Sequence, residues 1–127
     1  MTAAARAVPT EHAEQVRVCR WFAIAHRKQA GALVAIPNAG KRSHALAKRM
    51  KSEGMQAGVL DLCLRLPRNG HAGLWIEMKR RDATRSDVTD EQFADIGYLL
   101  RNGYAATWCA GADEAIQTIT AYLEGES

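Results

Sequence analysis

The chain has 127 residues, 47% of them hydrophobic, enough for one domain that buries a core without disulfides or metal staples. No apolar run approaches membrane-spanning length and Met1 to Arg6 lack the apolar core of a signal peptide, so the expectation is a cytoplasmic protein with no membrane partner. Net charge is +3, with basic blocks at Lys41, Arg42, Lys48, Arg49, Lys51 and at Lys79, Arg80, Arg81, Arg85, and no Lys or Arg beyond Arg101; this suits either a phosphate backbone or solubility charge on exposed faces.

Residues 1–9 read as a flexible arm and 10–124 as the folded domain. Thr10 is placed to cap a first helix that runs to about Lys28, with Val16, Cys19, Phe22, Ala23 and His26 as its apolar stripe. Glu11, Glu14 and Gln15 share its first turns, where acids also stabilise any helix N-terminus. Leu33 to Ile36 is a short buried strand, stopped by Pro37-Asn38-Ala39-Gly40. Ser43 caps a second helix to about Lys51, with Ala45, Leu46, Ala47 and Met50 as apolar contacts. After the two strands considered next comes a polar loop, Arg80 to Val88, of the kind that orders on a ligand. Thr89 caps a third helix to about Arg101, with Gln92 in its first turn, and Asn102-Gly103 ends it. Tyr104 to Cys109 is the last strand and Ala112 to about Leu123 the last helix. Cys19, Cys63 and Cys109 are odd in number and far apart, which suits reduced, mostly buried thiols.

The two central strands carry the chemistry. Leu60 to Leu66 puts leucines on one face and Asp61, Cys63 and Arg65 on the other. Leu74 to Lys79 puts Leu74, Ile76 and Met78 on one face and Trp75, Glu77 and Lys79 on the other. The turn formers between them predict an antiparallel hairpin. A symmetric hairpin sets Asp61 opposite Lys79 and diagonal to Glu77, within about 7–8 Å. Two acids and a lysine on one face are costly unless they are solvated or hold a cation. The full order is helix, strand, helix, strand, strand, helix, strand, helix. It predicts an α/β domain with a small mixed β-sheet flanked by helices, in which the crossover helix leads to a parallel last strand.

The ordered set of a helical glutamate, Asp61 on one strand, Glu77-Met78-Lys79 on the next and Gln92 on a following helix resembles the PD-(D/E)xK restriction-endonuclease-like core. More narrowly it resembles the VRR-NUC nucleases found in phage and bacterial genomes. The likeness runs from Thr10 to Tyr122 and includes Ile36 to Arg42, Glu53-Gly54 and Gly58 to Asp61. Two positions depart from the family pattern: Leu60 stands where a proline is usual, and Ala39 where a glycine is.

The resemblance implies a Mg²⁺- or Mn²⁺-dependent endodeoxyribonuclease. Asp61, Glu77 and the backbone carbonyl of Met78 would hold the cation, joined by Glu11 directly or through water, with Glu14 as the alternative helical acid. Lys79 would orient or deprotonate the attacking water, and Gln92 would support that water or Lys79. Lys41 and Arg42 would grip DNA phosphates, as would the face carrying Lys48 and Arg49. Branched DNA such as four-way junctions and a homodimer are the implied partners. The alternatives are a nuclease fold that binds DNA without cutting it, and a small-molecule hydrolase or protein-interaction domain. His12, His44 and His71 show no metal-ligand spacing, and the tryptophans fit a core role better than base stacking.

Overall fold

A computed structural model describes residues 7–37 and 43–125. Eight main elements follow in order: α1 (Glu11–Ala25), β1 (Leu33–Ala35), α2 (His44–Ser52), β2 (Leu62–Leu64), β3 (Leu74–Lys79), α3 (Asp90–Arg101), β4 (Ala105–Ala110) and α4 (Ala112–Glu124). The sheet has the order β1-β2-β3-β4. β1 pairs antiparallel with β2 and β2 with β3, while β4 lies parallel to β3 after the α3 crossover.

The helices begin where side-chain oxygens satisfy their first N–H groups. Thr10 accepts from the Ala13 N–H and Ser43 from that of Leu46. Thr89 and Gln92 form a reciprocal capping box at the start of α3. Val18 and Phe22 of α1 meet Leu62, Leu64, Leu74, Ile76 and Met78 of the sheet and Ala112, Ala115 and Ile119 of α4 in one buried cluster. The β2 and β3 leucines, Ile76 and Met78 reach it because alternation sends them all to one face. That leaves Asp61, Cys63, Trp75, Glu77 and Lys79 for the other.

Several expectations are corrected. α1 ends at Ala25 rather than near Lys28, and a 3₁₀ stretch, Arg27–Ala32, carries the chain into β1. The buried face of α1 is Glu14, Val18 and Phe22, while Ala23 is exposed and Val16 only half-buried. These three recur every four residues, but an apolar stripe cannot be drawn through a glutamate until its partner is known. His26 stacks on Phe22, with ring centroids 5.0 Å apart. α2 buries no residue, and its Ala45 and Leu46 are exposed.

The hairpin register also differs from the symmetric expectation. Leu62 pairs with Ile76 and Leu64 with Leu74, which brings Asp61 level with Glu77 instead of Lys79. The turn itself closes with an Arg68–His71 bridge around Asn69 and Gly70, both at positive φ. Between the Leu64–Leu74 pair and that bridge lie residues 65–67 on one arm but only 72–73 on the other. That extra residue, together with a turn centred between Asn69 and Gly70 rather than on Gly70, moves the pairing by two residues and so leaves Asp61 on the same face.

β2 is shorter than the predicted strand, and its entry is shaped by α3. Gly58 has φ +84°, and a Cβ there would stand 2.6 Å from the Glu91 Cβ. Leu60, in the position where the family has proline, is fully buried and its backbone N–H donates to Asp95 at 3.4 Å. Proline has no such donor. The segment after Lys79 is already pinned without a ligand. Thr84 and Asp87 cap its 3₁₀ turn reciprocally, and the Arg85 guanidinium lies 4.7 Å from the Phe93 ring centre.

Candidate active site

Three acids from three parts of the chain converge. Glu11 stands in the first turn of α1, Asp61 one residue before β2, and Glu77 within β3. Each offers one carboxylate oxygen, and these oxygens lie within 4.8 Å of one another. Asp61 is held in place because its Oδ2 accepts from the Met78 N–H at 2.9 Å. The bond seen from Met78 thus runs from its N–H to the acid, and its side chain is fully buried in the core.

Glu77 is the group whose surroundings are least ordinary. It is 2% exposed. Its Oε2 accepts from the Gln92 side-chain amide at 2.9 Å and lies 3.6 Å from the Lys79 ammonium. Its Oε1 is buried with no hydrogen-bond partner. Burial, then the negative charge of Asp61, pushes the Glu77 carboxyl up to about 8, although Lys79 pulls the other way. A carboxylate that is deeply buried, next to a second acid and short of a donor is stabilised by a cation. The donor set is all oxygen, as Mg²⁺ and Mn²⁺ prefer, so the residues present fit such an ion.

Gln92 has both ends of its amide assigned. Its Oε1 accepts from the Thr89 N–H at 2.9 Å, which turns its Nε2 towards Glu77. The protein partner of Gln92 is Glu77 rather than the expected Lys79. Lys79 shares that same Glu77 oxygen, with its side chain 12% exposed. A cleft of about 380 Å³ opens beside the cluster, lined by Glu11, Lys79, Arg80, Asp82, Ala83 and Asp87.

Glu14, the alternative helical acid, is not part of the cluster. It is 1% exposed, and both its oxygens are taken by Arg81 and the start of α4. The Arg81 guanidinium holds its carboxyl below the ordinary range, against the opposing effect of burial. Arg81 was not distinguishable in the sequence: it sits in a basic run, and its partner is 67 residues away. Lys48 and Arg49 lie exposed on α2, where Arg49 pairs with Glu53 at 3.6 Å. Lys41, Arg42 and Asn38 to Gly40 fall outside the described residues. Trp75 is half-buried and meets Tyr104 edge-on, a packing role.

The sequence matches no family model and no curated protein. A solved structure described as a VRR_NUC domain protein superposes with a TM-score of 0.79, covering 94% of this chain and 92% of the other at 26% identity. The chain folds as a VRR-NUC domain. A VRR-NUC fold is a PD-(D/E)xK-like nuclease fold, and the mixed four-stranded sheet with flanking helices is its core. In this VRR-NUC domain the acid cluster sits where the second and third strands run level, with α1 and α3 each supplying one further side chain.

Proposed function

We propose that this domain is a Mg²⁺- or Mn²⁺-dependent endonuclease that hydrolyses DNA phosphodiester bonds, with branched DNA such as four-way junctions as its preferred substrate. The observation that carries the reading is Glu77, a buried carboxylate with one oxygen unpartnered beside two further acids. The nuclease-type fold supports it.

A divalent cation held by Glu11, Asp61 and Glu77, with the Met78 carbonyl as a further donor, would supply Lewis acidity and charge neutralisation at the scissile phosphate. The chain's own groups do the rest. Lys79 Nζ orients the attacking water and offsets negative charge on the phosphorane oxygens. Gln92 fixes the Glu77 rotamer from the side by donating to its Oε2. The cleft beside Glu11 and Lys79 admits a phosphate and its water. Lys48 and Arg49 on α2, with Lys41 and Arg42, bind backbone phosphates and carry no sequence information. Among the described residues there is one such acid cluster, and symmetric nicking of two strands needs two. The reading therefore includes a homodimer.

A panel of linear, flap, fork and four-way-junction DNAs incubated with Mn²⁺ tests it. The expected result is preferential nicking of the junction, lost when the ion is chelated. Junction binding without product under any divalent ion would make the domain a DNA-binding module instead. An affinity that does not fall with salt would remove nucleic acid from the account.

A further inference from the structure

We infer that Glu14 is a positioning residue for the cation site: by clasping Arg81 and the start of α4 it fixes Glu11 relative to Glu77 and Lys79. This rests on the reading of the acid cluster as a cation site. Glu14 Oε2 accepts from the Arg81 backbone N–H at 3.2 Å and from Arg81 Nε at 3.0 Å. Its Oε1 accepts from Arg81 Nη2 at 3.0 Å and from the Ala112 N–H at 3.4 Å. One carboxylate thus joins α1, the chain just past β3 and the first residue of α4. Gly111 completes the joint. Its N–H donates to the Lys79 carbonyl at 2.9 Å, and a Cβ on it would stand 2.8 Å from the Arg81 Cβ and 3.1 Å from Glu14 Oε2.

The clasp matters because of where it lies. Glu14 is three residues from Glu11 on α1, and Arg81 two residues from Lys79. The nearest buried apolar residue of α1 is Val18. At about 1.5 Å per residue it is about 10 Å along the helix from Glu11. Glu14 is the buried residue of α1 that lies nearest Glu11, and Mg²⁺ demands near-ideal ligand geometry. Residues that only orient ligands are worth roughly 10–100-fold in metal affinity.

The test measures Mn²⁺ affinity by calorimetry on DNA-free protein for the wild type, Glu14→Gln, Arg81→Lys and Arg17→Ala. Arg17 pairs with Asp113 at the surface and also ties α1 to α4, so it controls for simple loss of a tether. Expected are unchanged far-ultraviolet dichroism and an affinity about 10-fold weaker in Glu14→Gln and Arg81→Lys, with Arg17→Ala like the wild type. In cleavage assays kcat falls at limiting Mn²⁺ and recovers in excess, while KM for DNA is unchanged. If Glu14→Gln does not fold, Arg81→Lys carries the test. Folded variants that bind Mn²⁺ as the wild type does would overturn the inference alone. A wild type that binds no Mn²⁺ would overturn the cation-site reading and the inference with it.

Discussion

Glu77 has two oxygens in unlike surroundings, and its behaviour with pH follows from that. Its folded-state pKa, about 8, lies above the ordinary 4.5, so the metal-free folded state favours the protonated form. Its contribution to stability is present below pH 4.5 and is lost as pH rises towards about 8. Glu14 acts with the opposite sign: its carboxyl is held low, so its contribution is present above the ordinary value and is lost as pH falls through the folded one. Melting temperatures in chelator are expected to decline from mildly acidic pH towards pH 8, and Mn²⁺ to restore the loss. Glu77→Gln should flatten the decline and abolish the restoration; a decline that persists in Glu77→Gln would assign it elsewhere. Lys79→Ala is expected to cut cleavage by about 10²–10⁴-fold, the usual worth of a positioned proton-transfer group, with junction binding kept in a gel-shift assay. Asp61, Glu77 and Lys79 were legible because strand alternation alone puts them on one face. The choice between Glu11 and Glu14 was not, because both acids suit the first turn of any helix. Only the distant Arg81 separates them.

Elements hold these side chains through their ends more than their middles. The Thr89 cap both starts α3 and orients the Gln92 amide that supports Glu77. Thr89→Ala is expected to cost about 1 kcal/mol in denaturant melts and to weaken Mn²⁺ binding as well. Gly111 and Gly103 make a matched pair for the joint beneath Lys79. Both have φ +89°, but a Cβ at Gly103 meets nothing within 4 Å while one at Gly111 strikes Arg81. Both alanine variants pay the backbone strain, and Gly111→Ala should lower the melting temperature further than Gly103→Ala does. Equal losses would mean that the close approach to Arg81 relaxes freely. Element order and type could be read from periodicity and caps, including the parallel final strand. The hairpin register could not, because it depends on where the turn is centred and on one extra residue between β2 and the Asn69-Gly70 turn. The buried side of α1 was misjudged for a related reason: an ion pair supplied by another element made a glutamate a core residue.

At the scale of the whole molecule, charge is divided along the chain. The basic blocks lie between Lys41 and Arg85, and the segment beyond Arg101 is acidic. The stretch from Lys41 to Arg85 therefore suits a polyanion better than the segment beyond Arg101 does. DNA affinity is expected to fall linearly with salt on logarithmic axes, and Lys48→Ala with Arg49→Ala to reduce that slope by about 1–2. An unchanged slope would place the phosphate contacts on other residues. The paired-domain reading is checked by a mass measurement in solution.

The central claim is that acids from α1, β3 and the entry to β2 meet around one divalent ion beside an amine. Anomalous scattering from a crystal soaked in Mn²⁺ tests it most directly. The account predicts a single strong peak within coordinating distance of Glu11, Asp61 and Glu77, close to Lys79. A map with manganese bound elsewhere and none among these three carboxylates would contradict it.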